Sequence, residues 1–216
     1  MKYGESVFDV AYLVFALVAG VILLSRKGKT AKLCGAAALT LGIGDAFHLV
    51  PRVLNYFVSA DFTAALGVGK LITSLTMTAF YVLLYYIFEY ARGAKPRLYR
   101  IYAVFLFALI RVVLCAFPQN GWFTDSSPLV WGIARNVPFL FLGSYVAVLY
   151  FIERKDLSAM RYNWLLIALS FAFYIPVVVG ASFVPMLGML MLPKTVCYVL
   201  MLVSFLRTKQ SKGEEK

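Results

Sequence analysis

The sequence predicts an all-α membrane protein built from seven transmembrane helices. Of the 216 residues, 62% are hydrophobic and only 14% are charged, whereas a soluble domain has about 25% charged residues. The apolar runs approach the roughly 20 residues that a helix needs to cross the hydrocarbon core. Most basic residues lie in short clusters between these runs. Together these observations exclude a soluble domain and favour a polytopic helical bundle.

Seven spans account for the apolar runs. They are predicted over residues 6–25, 31–58, 64–90, 98–117, 128–152, 162–184 and 187–207. The second is long for one crossing, so we expect it to tilt, to kink at Pro51 or to end in an interfacial turn. Cys34, Cys115 and Cys197 lack disulfide or metal-ligand spacing and are predicted to be small core residues. The chain is predicted to form a single domain over residues 1–216.

The basic clusters predict the orientation in the membrane. The first, third and fifth loops and the C-terminal tail hold fifteen of the 21 lysines and arginines: Arg26, Lys27, Lys29, Lys32, Arg92, Lys95, Arg97, Arg100, Arg154, Lys155, Arg161, Arg207, Lys209, Lys212 and Lys216. The opposite side holds only Lys2. The positive-inside rule therefore places the N-terminus outside and the C-terminus in the cytoplasm. We expect an integral plasma-membrane protein with membrane lipids as neighbours, and no nucleic-acid partner. The sequence does not define the oligomeric state.

Five further cations lie inside the predicted spans: Arg52, Lys70, Arg111, Arg135 and Lys194. Each lies about six to eight residues from the outer end of its span, or ~9–12 Å at 1.5 Å per residue. One such side chain could extend to the headgroups, but five at one depth favour a shared outward-facing cavity. Prolines mark the same level and are expected to bend their helices and open space. They are Pro51, Pro138, Pro176 and Pro193.

The second span also carries Asp45 and His48. At 100° per residue, these two residues, Arg52 and Tyr56 share a helical face about 80° wide. An ionisable group at the membrane centre costs roughly 2.5–3.5 kcal/mol, so such groups persist where they face a bundle interior or a wet cavity. A structural Asp45–Arg52 pair is one interpretation of this face. A binding or catalytic site is the other.

The predicted cavity has an excess of positive charge, because five cations face Asp45, His48 and, near the outer end of span one, Asp9. Unpaired cations in low dielectric are costly, so we expect an anionic guest such as a carboxylate, a phosphate or a lipid headgroup. The predicted function is that of a transporter or receptor. Asp45 and His48, at i and i+3, could instead act as an orienting carboxylate and a general base. An intramembrane lipid hydrolase is therefore the alternative.

Asn136 and Tyr174 complete the candidate ligand-binding residues and belong to a faint internal repeat. Asp9 aligns with Asn136, Pro51 with Pro176, and Lys70 with Lys194, at offsets of 127, 125 and 124 residues. These matches predict a 3+1+3 parallel repeat of residues 6–90 and 128–207, linked by 98–117. No metal or cofactor is expected, since a single histidine excludes a His-rich zinc site.

Three resemblances accompany this prediction. Gly44-Asp45 in the second span resembles the Gly-Asp motif of the lysoplasmalogenase family, which implies hydrolysis of a lyso-lipid vinyl ether. That family has eight spans and a second, Ser-Asp motif, which this sequence lacks. The seven spans and the 3+1+3 pattern resemble the SWEET and PQ-loop transporters. Lys194 is similar in position to the retinal-binding lysine of microbial rhodopsins, but span three lacks an acidic counter-ion at its level.

Overall fold

The structure is a computed structural model that describes residues 2–124 and 128–208. Its seven α-helices are α1 Lys2–Ser25, α2 Lys29–Phe57, α3 Thr63–Ala91, α4 Leu98–Ala116, α5 Leu129–Ile152, α6 Asn163–Gly180 and α7 Met191–Leu206. All are long and apolar enough to cross a membrane when α7 is taken with the 3-10 helical segment before it. The predicted all-α, seven-helix class is confirmed. Lys209, Lys212 and Lys216 of the predicted basic tail lie outside the described residues.

The predicted and observed helices differ most around the last connection. The helix α6 ends at Gly180 rather than at 184, and a 3-10 segment, Pro185–Leu190, leads into α7. Proline disfavours helical backbone at the residue before it, which separates the two helices here. Pro193 therefore lies in the first turn of α7. Backbone N–H groups in the first turn have no acceptor within their own helix, so a proline there removes no helical hydrogen bond. The predicted kink inside a helix at Pro193 is wrong.

Five helices surround the centre of the bundle, and two lie outside it. Successive helices pack together, and α7 closes the arrangement against α1 and α2. The helix α4 contacts α3 and α5, which also contact each other. The helix α1 likewise contacts α2 and α7, and these two helices contact each other as well. The helices α1 and α4 are therefore peripheral. The outer position of α4 is compatible with a linker role, and the repeat itself stays a prediction.

Glycines set the close packing of α2 on α3. A Cβ at Gly69 would overlap the carbonyl oxygen of Phe47, and one at Gly44 would overlap the side chain of Thr76. Thr73 also donates a hydrogen bond to the Gly44 carbonyl at 3.0 Å. Small residues let membrane helices approach in this way. The glycine of the Gly-Asp motif thus has a packing role, which fixes the height of Asp45 against α3.

An aromatic layer crosses the middle of the bundle. Tyr81 packs edge-to-face on Phe139 with ring centres 5.0 Å apart, and Phe171 lies 5.1 Å from Phe139. Gly143 leaves the space that Phe171 occupies. All three rings are buried, as are the three cysteines, which confirms the prediction that the cysteines are core residues. We call the end of the bundle with loops 58–62 and 181–184 the outer end, following the predicted topology. The other end is the inner end.

Candidate functional site

A cavity of about 320 Å³ lies between the aromatic layer and the outer end of the bundle. This volume is near the lower end of the range for small-molecule sites, about 300–1,000 Å³. Its polar walls come from six helices and the loop after α6: His48, Lys70, Thr73, Ser74, Arg111, Arg135, Asn136, Tyr174, Ser182 and Lys194. Within residues 2–124 and 128–208, neither Asp nor Glu lines it. The described wall therefore carries four cations and no anion.

The structure brings together seven of the nine residues that the sequence singled out. These are His48, Lys70, Arg111, Arg135, Asn136, Tyr174 and Lys194. Asp45 and Arg52 do not line the cavity. The cations come from α3, α4, α5 and α7, so no single helix shows the convergence. Their common depth is the sequence feature that relates them.

Arg111 is the most deeply buried of the four cations that line the cavity. Only 2% of its surface is exposed, and its guanidinium carbon lies 3.4 Å from the centre of the Phe139 ring. Its Nε and Nη1 atoms are buried without a hydrogen-bond partner. A guanidinium carries five N–H donors, and a buried donor without a partner is costly. Arg111 thus offers unused donors beside a cavity of ligand size.

Arg135 is positioned by the connection between α4 and α5. Its Nη1 donates to Asn120 Oδ1 at 2.8 Å, and its guanidinium carbon lies 4.4 Å from the centre of the Trp122 ring. Asn120 and Trp122 in turn donate to backbone carbonyls near the end of α4. Gly67 of α3 admits this loop, because a Cβ there would overlap the Trp122 carbonyl. No motif or periodicity in the sequence indicates a role for Asn120 or Trp122.

Lys194 and Lys70 differ in burial. Lys194 is 8% exposed, and its Nζ lies 4.4 Å from the centre of the Tyr174 ring. The Tyr174 hydroxyl donates to Asn136 Oδ1 at 2.9 Å, which joins α6 to α5. Lys70 is exposed and lines the same cavity, so the cavity reaches the protein surface beside it. In the described part of the chain, no carboxylate lies within 4.0 Å of either ammonium group.

His48 lines the cavity from α2. Its Nδ1 atom is buried without a hydrogen-bond partner. The close contact of Gly69 with the His48 backbone holds α2 at this height. A neutral imidazole can donate or accept, so His48 adds an adaptable polar group to the wall.

Asp45 faces α1 instead of the cavity. It accepts a hydrogen bond from the Tyr12 hydroxyl at 2.6 Å, and it interacts electrostatically with Lys194 and Asp9. Asp9 is buried, and its Oδ2 lacks a hydrogen-bond partner. Asp45 makes neither an ion pair with Arg52 nor a hydrogen bond with His48 within the described residues. The predicted Asp45–Arg52 pair is therefore wrong.

Arg52 is neutralised outside the cavity. It forms an ion pair with Glu5 of α1, and the Tyr56 hydroxyl donates to the same carboxylate at 3.1 Å. On an ideal helix, Asp45, Arg52 and Tyr56 fall within about 40°, with His48 a further 40° away. The three residues contact α1, and His48 turns to α3. The prediction that Arg52 shares the cavity is wrong, because the ion pair with Glu5 holds its side chain against α1.

A second charged cluster, the inner network, lies at the inner ends of α3, α4 and α5. Arg100 Nη1 lies 3.0 Å from Glu89 Oε1, and Arg92 Nη2 lies 3.1 Å from Glu153 Oε2. Glu89 is completely buried. Asp156 lies 4.0 Å from Arg92 at the exposed edge. From the sequence, Arg92 and Arg100 indicate topology only, and their carboxylate partners are not predicted.

The cavity is suited to hold an oxyanion. Guanidinium groups recognise carboxylates and phosphates in bidentate fashion, and ammonium groups add point charge. Hydroxyl and amide groups from Thr73, Ser74 and Asn136 stand among the cations. Among the described residues, no three His, Cys, Asp or Glu side chains are grouped as a metal site would require. In comparisons with family models, curated proteins and solved structures, nothing matches this chain.

Proposed function

We propose that this protein binds an anionic small molecule, or the anionic headgroup of a lipid, in the outer cavity and acts as a transporter or receptor. The observation that carries the proposal is Arg111, buried beside the cavity with two unpartnered guanidinium nitrogens. A native structure rarely leaves such donors unused. An oxyanion in the cavity would supply the missing acceptors.

The charge around the cavity supports the same proposal. Lys70, Arg111, Arg135 and Lys194 line one space, and the acid that interacts with Lys194, Asp45, is hydrogen-bonded to Tyr12. Like charges in a low-dielectric space repel strongly. An anion relieves this repulsion and fills the cavity, so anion binding should stabilise the fold.

Transport is favoured by the contrast between the two ends of the bundle. The cavity reaches the surface at Lys70, while the inner ends of α3, α4 and α5 are held together by Glu89, Arg92, Arg100 and Glu153. A transporter facing outward has its site open on one side and paired contacts closing the other. We place the protein in the plasma membrane with its N-terminus outside.

The hydrolase alternative depends on Asp45 and His48 acting together. Asp45 accepts a hydrogen bond from Tyr12, and His48 lines the cavity wall. Asp45 and His48 are not hydrogen-bonded to each other. An orienting carboxylate must contact its imidazole to act. The positions of Asp45 and His48 therefore favour binding, because catalysis would require the two side chains to move into contact.

The proposal is tested by titrating the purified protein, in a non-ionic detergent, with inorganic phosphate and with acetate. Isothermal calorimetry should detect binding of at least one of these anions. Arg111→Gln should weaken binding about ten- to a hundredfold, the loss expected for one charge-assisted hydrogen bond. Arg161→Gln is the matched control, because Arg161 is exposed and lies over Tyr162 near the inner end.

Three outcomes would change the proposal. If neither phosphate nor acetate binds, or if the Arg111 and Arg161 variants lose the same affinity, the proposal is overturned. Cleavage of a lyso-lipid by the wild-type protein but not by Asp45→Asn would replace it with the hydrolase alternative. Uptake of labelled phosphate into proteoliposomes would favour transport, and binding without uptake would favour reception.

A further inference from the structure

An apolar groove runs along the surface between α5 and α6 and shares a wall with the cavity. We call it the α5–α6 groove. Asn136, Tyr174 and Val178 line both the cavity and the upper part of this groove. The remaining upper walls are apolar and include Val137 and Ile175. Polar and apolar spaces therefore meet at one line of residues.

The groove continues toward the inner end. Phe171 and Ile175 line both its upper part and a lower part. The lower part reaches Phe151 on α5 and Trp164 on α6. From Ile133 to Phe151, α5 rises about 27 Å at 1.5 Å per residue. One leaflet of the hydrocarbon core is roughly 15 Å thick, so the groove is long enough for the chain of a lipid in the outer leaflet.

The polar side chains at the junction between the cavity and the groove already have hydrogen-bond partners. The Tyr174 hydroxyl donates to Asn136 Oδ1, and Asn136 Nδ2 donates to the Gly132 carbonyl. An alkyl chain could therefore cross this line without burying an unpaired polar atom. Pro138 and Pro176 lie in the two helices beside the groove. Each proline removes one helical hydrogen bond, which favours a bend and a gap between the helices.

We infer that the ligand is an anionic amphiphile, with its charged group in the cavity and its alkyl chain in the α5–α6 groove. This inference rests on the proposed function and extends it to a ligand class. Every apolar face of a membrane protein meets lipid, but the groove between α3 and α4 shares no described residue with the cavity. The α5–α6 groove differs because it shares Asn136, Tyr174 and Val178 with the cavity that would hold the charged group.

The test compares inorganic phosphate with dodecyl phosphate on the full-length protein in nanodiscs of zwitterionic lipid. Val137→Trp should fill the groove, since Val137 lines it and is 44% exposed. Val112→Trp is the matched control, since Val112 lines the α3–α4 groove and is 40% exposed. Ile175→Trp, from the opposite wall, is the second variant in case Val137→Trp fails to fold.

Wild type should bind dodecyl phosphate more tightly than inorganic phosphate. Val137→Trp should weaken dodecyl phosphate about tenfold, the equivalent of about two methylene groups losing their contacts. Inorganic phosphate should bind this variant as it binds wild type, and Val112→Trp should change neither affinity. Partition into the bilayer is the same for all variants, so it cancels in the comparison.

The failures of the two proposals are distinguishable. If both phosphates bind wild type and the groove variants keep the full advantage of dodecyl phosphate, the chain lies elsewhere, and only this inference is overturned. If neither phosphate binds wild type, the proposed function itself fails. If dodecyl phosphate binds wild type no more tightly than inorganic phosphate, the alkyl chain makes no contribution, and this inference is overturned.

Discussion

In the described part of the chain, the two ends of the bundle differ in whether carboxylates lie near their buried arginines. In the inner network, Arg92 and Arg100 lie within 4.0 Å of Glu89, Glu153 and Asp156. In the outer cavity, Arg111 is more deeply buried than Arg100, at 2% against 7% exposed. Yet no carboxylate pairs with it in the described part of the chain. In the inner network, carboxylates of the chain supply the counter-charges. In the outer cavity, a bound anion would supply the counter-charge under the proposed function.

The difference bears on how a charge inside a membrane protein is interpreted. A buried ion pair whose partners belong to the chain is complete without a ligand, and removal of one partner leaves the other stranded. A buried cation without a partner raises the energy of the empty state and lowers it again when an anion binds. Under the proposed function, the same residue type contributes to stability at one end and to binding at the other.

The largest effect is expected at the inner network. Glu89→Gln should lower the free energy of unfolding by up to about 3–5 kcal/mol, because it removes the carboxylate 3.0 Å from the buried Arg100 and leaves, among the described residues, only that of Glu153, at 3.8 Å. Asp156→Asn is the control, since 61% of the Asp156 side chain is exposed, and it should cost at most about 1 kcal/mol. Thermal unfolding of both variants in detergent measures the difference. Equal stability of the two variants would show that the inner network does not fasten the helices.

A smaller effect, of a different kind, is expected in the outer cavity. Lys194→Met removes a cation that has no carboxylate within 4.0 Å among the described residues. Stability without ligand should stay the same or rise, while phosphate affinity should fall by about 1.5–3 kcal/mol. Calorimetry and thermal unfolding, with and without phosphate, separate the two effects.

Asp45→Asn provides the reciprocal change. It removes the negative charge that interacts with Lys194 while leaving an acceptor for Tyr12. This variant should be less stable than wild type, and added phosphate should restore part of the loss by mass action. If Lys194→Met is badly destabilised and phosphate shifts neither variant, Lys194 and Asp45 are a structural pair.

The sequence predicted the parts of this contrast that depend on composition and depth. The hydropathy of the spans predicts the fold class. The common depth of Lys70, Arg111, Arg135 and Lys194 predicts that these four side chains lie close together. The pairing could not be predicted, because it depends on the rotation of each helix about its own axis. A rotation of tens of degrees decides whether Asp45 faces α1 or the cavity.

The remaining differences between prediction and structure come from a loop and from an acidic residue of α1. Asn120 and Trp122 position Arg135 from a connection whose fold has no periodic signal. Glu5 lies in the first turn of α1, where its sequence position alone does not indicate a partner on α2. Its carboxylate reaches Arg52 across the α1–α2 interface.

The smallest effect is expected at Arg52, the cation that the structure separates from the other four. The side chains of Arg52 and Glu5 are 25% and 22% exposed, so Arg52→Met should lower the free energy of unfolding by only about 0–1 kcal/mol. Because Arg52 does not line the cavity, phosphate affinity should remain at the wild-type value, in contrast to Lys194→Met. A loss of phosphate affinity as large as that of Lys194→Met would return Arg52 to the cavity. The outer charges would then act as one layer of five, and the pairing with Glu5 would be incidental to binding.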